Sequence, residues 1–216
     1  MNETTIGLIG AGAIGRAHLT GAAQTQGVKI VGVADPSPAA AELAREFGVP
    51  HFTDHRAMLD TLNPDGAINA TPNTLHVPIS LEWMAEGKPV LVEKPVADTV
   101  EEGRRLAAYS EKTGIPVLVG HHRRHNPILR KAREMVREGH LGRLVSATVM
   151  ATFLKPDSYF EQTWRRSAGG GPVLINLIHE IDLIRFVCGE VVSLQALTSN
   201  ATRGFEVEDT AAILLR

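Results

Sequence analysis

Ile6-Gly7-Leu8-Ile9-Gly10-Ala11-Gly12-Ala13-Ile14-Gly15 decides the fold, and Asp35 closes the next β-branched run, Lys29-Ile30-Val31-Gly32-Val33-Ala34. The first residues read as a strand, the glycines as a turn and the residues after them as a helix. In such a unit Gly10 permits the tight turn, Gly12 lets a pyrophosphate approach the backbone, and Gly15 lets the helix pack closely on the sheet. Ala13 and Ile14 begin the helix, where free N–H groups and the positive end of the dipole favour phosphate. An acid about 20 residues beyond the last glycine accepts hydrogen bonds from ribose hydroxyls. Its charge repels a 2′-phosphate, and Pro36-Ser37-Pro38-Ala39-Ala40 contains no Arg or Lys to offset it. The expected cofactor is therefore NAD rather than NADP.

Outward from this stretch, the first 120 residues alternate short β-branched runs with helical patterns, the rhythm of a doubly wound parallel sheet. Strands are predicted at 6–9, 29–34, 51–53, 66–70, 89–92 and 116–119, and helices at 14–25, 38–47, 56–62, 77–85 and 100–112. Gly27, Gly48, Gly87 and Gly114 fall where left-handed caps belong. The pattern then becomes α+β: a helix at 128–138, a long alternating strand at 144–153, a helix at 173–187, and strands at 191–199 and 209–215. Two domains follow, an NAD-binding domain over 1–120 and a substrate and oligomerisation domain over 121–216. Thr210-Ala211-Ala212-Ile213-Leu214-Leu215-Arg216 reads as mid-strand, and an open apolar sheet edge is a poor stopping point. The second domain is expected to be incomplete.

The chain has 216 residues, 44% hydrophobic and 21% charged, with a formal net charge of −2. That balance suits a globular protein with a small-molecule substrate and gives no reason to expect nucleic acid or an anionic membrane as partner. No basic segment leads an apolar one, and no apolar run nears the ~18 residues of a membrane span, so the expected location is cytoplasmic. A single cysteine, Cys188, excludes an intrachain disulfide and a multi-cysteine zinc site, and no metal is expected. Its setting, Ile184-Arg185-Phe186-Val187-Cys188, predicts a buried packing role.

In an open α/β sheet, ligands sit beyond the carboxyl ends of the strands. Three polar loops lie there: Thr71-Pro72-Asn73-Thr74-Leu75-His76 after the fourth strand, Glu93-Lys94-Pro95 after the fifth, and His121-His122-Arg123-Arg124-His125-Asn126-Pro127 after the sixth. Alcohol oxidation needs a base for the hydroxyl proton and a cation or donor for developing alkoxide charge. Lys94 and His179 are of the right type. His179 lies in Leu174-Ile175-Asn176-Leu177-Ile178-His179-Glu180-Ile181-Asp182, where α-helical spacing puts Asn176 and Asp182 on its face. A core histidine bonded to Asp182 is the alternative.

The glycine turn, the Thr-Pro-Asn…His loop, Glu93-Lys94-Pro95, Arg124…Asn126-Pro127 and Gly169-Gly170-Gly171…His179…Asp182, in that order, resemble the Gfo/Idh/MocA oxidoreductases, over essentially the whole chain. The resemblance implies a Rossmann domain followed by a domain built on a large, mostly antiparallel sheet, and a homo-oligomer formed through that sheet. It implies cofactor contacts at Gly10, Gly12, Ala13, Ile14, Gly15, Asp35, Thr71, Pro72, Asn73, His76, Glu93 and Lys94. It also implies catalysis by Lys94 and His179, with Lys94 on the reacting oxygen and Pro95 often cis. Trp164-Arg165-Arg166 resembles a pocket-lining segment, although Arg165 and Arg166 are equally compatible with solvent. Arg124 and Asn176 join Trp164, Arg165 and His179 as substrate contacts, with Tyr159 and His122 behind them. One departure stands out: many relatives carry an Asp four residues before the histidine, and here that position is Ile175.

The implied activity is hydride transfer between NAD and a hydroxyl of a sugar, polyol, cyclitol or sugar acid. A redox-neutral sugar oxidoreductase that keeps its nicotinamide, and a nucleotide-sensing regulator on the same scaffold, are the alternatives.

Overall fold

The computed structural model describes residues 3–216. The chain forms two compact units, Met1–Gly120 and His121–Arg216. In the first, six strands, β1 (Thr4–Ile9), β2 (Val28–Ala34), β3 (His51–Phe52), β4 (Gly66–Asn69), β5 (Val90–Val92) and β6 (Val117–Val119), pair in parallel in the order β3-β2-β1-β4-β5-β6. Five helices connect them: α1 (Ala13–Ala23), α2 (Pro38–Glu46), α3 (His55–Leu62), α4 (His76–Ala85) and α5 (Val100–Thr113).

Local chemistry sets these boundaries. Asp54 caps α3 by accepting from the Arg56 and Ala57 amides at 2.8 and 2.9 Å, and Thr99 caps α5 by accepting from the Glu102 amide at 3.2 Å. Gly27, Gly48, Gly87 and Gly114 all have positive φ, as expected of the residues that end helices or turn the chain out of them. Successive residues of β1 face opposite sides of the sheet: Leu8 packs with Leu19, Ile30, Val33 and Leu43, while Ile9 packs with Met58, Val77, Trp83 and Met84. Burial of each such large side chain contributes roughly 1.5–3 kcal/mol. Helices on both faces account for the near-continuous apolar strands. The strand order reverses between β1 and β4, which opens a crevice at their carboxyl ends.

The second unit holds α6 (Pro127–Arg137), a π-helical segment (Val173–Leu177) leading into α7 (Ile178–Val187), and an antiparallel pair, β7 (Leu194–Ser199) and β8 (Thr210–Leu215). Asn126 caps α6 through the Ile128 amide at 2.9 Å, with Pro127 in the first turn. Two expectations are corrected here. The predicted strand at 144–153 is irregular chain, and Val145, Met150 and Leu154 are 86, 85 and 94% exposed. An alternating pattern becomes a strand only when a neighbour takes up its backbone groups, and the strand pairing in this unit is between β7 and β8. Cys188 is exposed rather than buried, because α7 ends on it and Gly189 (φ +125°) turns the chain away. Among the described residues no helix is long and apolar enough to cross a membrane, and no His/Cys/Asp/Glu group could hold a metal.

Candidate functional site

The three turn glycines are glycines for three different reasons. Gly10 has φ +93°, and a Cβ there would lie 2.5 Å from the Ala70 carbonyl oxygen, so the end of β4 leaves it no room. At Gly15 a Cβ would strike the Gly10 carbonyl oxygen, with the Leu8 side chain 3.7 Å away. Contact with the turn, more than helix-on-sheet packing, excludes a side chain there. Gly12 differs from both, with φ −69° and ψ −166°, accessible to any residue, and a Cβ would meet no atom within 4 Å. Nothing in the fold requires glycine at 12. The open space lies at the N-terminus of α1, where Gly12 provides no side-chain cap and the amides of the first turn have no helical partner. A pyrophosphate fits that cradle.

Asp35, at the end of β2, accepts from the Ala11 amide through Oδ2 and the Ser37 amide through Oδ1, both at 2.8 Å. Burial tends to raise its pKa, but these amides and the Ser37 hydroxyl prevail and hold it below the usual carboxylate value. The ionised group therefore fastens the glycine turn, a role that sequence reading missed. A carboxylate has about four acceptor positions, so with three donors engaged one remains for a ribose hydroxyl.

Asn69, fully buried at the end of β4, organises the next loop. Its Nδ2 donates to the His76 carbonyl at 3.0 Å and to Ser80 Oγ at 3.2 Å, and its Oδ1 accepts from Thr71 Oγ1 at 2.7 Å. His76 is 1% exposed, with Nδ1 2.7 Å from the Pro95 carbonyl and Nε2 2.8 Å from the Thr71 carbonyl. Burial lowers its pKa, and the two carbonyls only partly offset this. The ring thus ties the Thr71 loop to the loop after β5, where the Lys94–Pro95 peptide is cis. Pro72 is exposed, while Asn73 and Lys94 are half-buried. Glu93 is held by His18 of α1 at 2.8 Å and by the Lys94 amide at 3.2 Å. The bonds of Asn69 could have been anticipated from a lone amide ending an apolar strand. His18 gave no signal, since its partner lies 75 residues away.

In the second unit Asp182 engages Arg124 in a fork, with contacts of 2.9 Å to Nε and 2.6 Å to Nη2, and Arg123 pairs with Glu180. The Asp182 carboxylate also has His121 Nδ1 3.7 Å away. His179 lies edge-on to His122, ring centres 5.0 Å apart. The π-helical turn at 173–177 also alters the expected face. Across Val173–Leu177 the spacing is that of a π-helix, so the α-helical spacing that put Asn176 on the face of His179 does not apply there; Ile175 is 7% exposed. The Asn176 amide nitrogen is buried without a hydrogen-bond partner among the described residues. Arg165 stacks 3.8 Å over the Tyr159 ring and donates to the Tyr159 carbonyl at 3.1 Å, so it is held rather than solvated. Trp164 is 36% exposed and bonds Gln162. The glycine run has a steric basis. A Cβ at Gly170 would strike the Trp164 carbonyl, and one at Gly171 would lie 2.5 Å from the Glu208 carboxylate, which accepts the Val173 amide at 2.7 Å.

A parallel sheet in this order, with a glycine turn, an acid and polar loops at its carboxyl edge, defines a dinucleotide-binding fold of the Rossmann type. A family model described as an oxidoreductase family with an NAD-binding Rossmann fold matches residues 4–121, and the GFO/IDH/MocA C-terminal domain matches residues 129–216. The chain belongs to the Gfo/Idh/MocA oxidoreductase family. It is 32% identical over 203 residues to the rhizopine catabolism protein MocA of Rhizobium meliloti, covering 94% of this chain and 63% of that protein. It is likewise 32% identical to 1,5-anhydro-D-fructose reductase of Ensifer adhaerens, covering 94% and 62%. The WlbA dehydrogenase from Bordetella pertussis, solved in complex with NADH and UDP-GlcNAcA, superposes with a TM-score of 0.94 at 29% identity, covering 100% of this chain and 67% of that one. The chain thus spans less than two thirds of the length of the two sequence relatives.

Proposed function

We propose that the protein is an NAD-dependent dehydrogenase acting on a hydroxyl of a sugar, polyol, cyclitol or sugar acid. Gly12 carries the reading: it is a glycine that the fold does not need, at a helix N-terminus shaped for a pyrophosphate. The amides of Ala13, Ile14 and Gly15 face the phosphates, and Asp35 receives the ribose. Thr71, Pro72 and Asn73 border the nicotinamide half, with His76 fastening their loop from within. When bound, the nicotinamide supplies the acceptor for the hydride leaving the carbinol carbon. The chain's own task is the proton and the charge on oxygen. The Lys94 ammonium stabilises the oxygen as its proton departs, and His179 is the candidate acceptor. Arg124, Trp164, Arg165 and Asn176 provide donors and an aromatic surface for a polyhydroxylated or carboxylated ring. Association into a homo-oligomer through the antiparallel sheet belongs to the same reading, since β7 is exposed along its whole length.

The test is oxidation of a panel of polyols, sugars and sugar acids, followed by NADH absorbance. Turnover with NAD on at least one of them is expected, and bound cofactor with no oxidation of any would favour a sensing protein. With the active substrate, the rate should rise with pH as the acceptor loses its proton, and His179→Asn should abolish that limb. A limb that persists unchanged places the acceptor elsewhere.

Cofactor choice tests Asp35 separately. Asp35→Ser removes the charge opposing a 2′-phosphate but also the acceptor for the Ala11 amide. Paired titrations should show the preference for NAD over NADP narrowing about tenfold or more, in line with loss of a charged hydrogen bond, while NAD itself binds more weakly. Tighter NADP than NAD binding by the unaltered protein overturns the assignment.

A further inference from the structure

Lys94 is flanked by two side chains that fix its backbone. Behind it, His76 binds the Pro95 carbonyl at 2.7 Å; before it, Glu93 is enclosed on three sides. The Glu93 side chain is 13% exposed, and its Oε1 lies 2.8 Å from His18 Nε2. Its Oε2 accepts the Lys94 amide at 3.2 Å. A Cβ at Gly120, just past β6, would stand 3.0–3.2 Å from the carboxyl atoms, so the chain there walls the group in. Burial alone would raise the Glu93 pKa, but the bond and charge of His18, with the Lys94 amide and ammonium, bring it below its usual value. An ionised carboxylate only accepts, so His18 Nε2 carries the proton and donates.

We propose that His18 is a positioning residue for Lys94, acting through Glu93; this rests on the catalytic reading of Lys94 above. His18 lies four residues beyond Ile14, on the helix whose N-terminus faces the space over Gly12. The helix that receives the pyrophosphate is thereby tied to the loop that carries the ammonium. Without His18, a nearly buried carboxylate loses its strongest donor, and the Lys94 ammonium, whose charge already acts on Glu93, is drawn toward it. An ammonium drawn back onto Glu93 no longer points at a substrate oxygen.

The test compares His18→Ala, His18→Gln and His18→Asn with the unaltered protein. The glutamine N–H takes the place of Nε2–H, whereas the asparagine amide falls short of Glu93. Two readouts are taken: initial rates on the substrate found by the panel, and the acetylation rate of Lys94 by an N-hydroxysuccinimide ester, followed by peptide mass spectrometry. For Ala and Asn, kcat is expected to fall about tenfold or more with KM within about twofold, and Gln should recover most of the loss. Lys94 acetylation should shift about threefold or more in Ala and Asn and return toward normal in Gln, while Lys29 and Lys112 react unchanged, as expected for independent sites. Labelling requires no turnover. A protein that oxidises nothing therefore refutes the dehydrogenase reading and leaves the positioning role to the labelling result. Wild-type labelling of Lys94 in the Ala or Asn variant, or a Gln variant as impaired as Asn, overturns the proposal. If Ala fails to fold, Asn and Gln decide it.

Discussion

Lys94→Ala is expected to bind NADH within about threefold of the unaltered protein while kcat and kcat/KM fall together by about 10²–10⁴-fold. The lysine sits on the loop after β5, with its backbone held from both sides, and neither the glycine turn nor Asp35 touches it in the contacts described above. A group that acts only as charge develops on the substrate oxygen lowers the barrier without contributing to ground-state binding, so its loss leaves the fluorescence titration of NADH unchanged and removes turnover. Turnover within a few-fold of normal would exclude Lys94 from the chemistry. A parallel collapse of NADH affinity would assign it to the cofactor instead.

The second large effect separates two glycines only three residues apart. Gly12→Ala adds a methyl group that meets no protein atom, so its urea midpoint should match that of the unaltered protein while NADH affinity falls about tenfold or more, the cost of a poorly seated pyrophosphate. Gly15→Ala places the same methyl group against the Gly10 carbonyl, and either the turn or α1 must move. It should lose about 1–3 kcal/mol of stability, as overpacked sites do. Equilibrium unfolding and NADH titration on both variants decide the matter. Normal NADH binding by Gly12→Ala would mean that the phosphates lie elsewhere.

What the sequence made legible was local or periodic. The β1–turn–α1 unit, the alternation of strands and helices, and the glycines ending α3's neighbours and α5 all depend on residues close together in the chain, and the structure has them within a residue or two. The failures required partners that no short window contains. Residues 144–153 carry a strand pattern but pair with no strand, the pairing in this unit being between β7 and β8. The pairing of Asp182 with Arg124, 58 residues away, was not legible. The π-helical turn at 173–177 was not legible either, because apolar residues such as Leu174 and Ile175 do not signal the extra residue. For the candidate site, residue types and their loops were readable. The fastening bonds of Asp35, His76 and His18 appeared only once the sheet placed the loops along one edge.

Glu208 gives the second unit an order of events. The π-helical turn and α7 begin at Val173, whose amide is received by a carboxylate 35 residues later in the chain. As the polypeptide leaves the ribosome, the helix emerges with that amide turned to water, and its acceptor arrives only after β7 and the following loop have been made. Domains fold largely as units during synthesis, and here the start of one helix is completed only when the β7–β8 pair begins to form. A ribosome stalled short of Glu208 would display that helix start without its cap, and one stalled beyond β8 would display it protected. The difference is open to protease digestion of nascent chains of graded length.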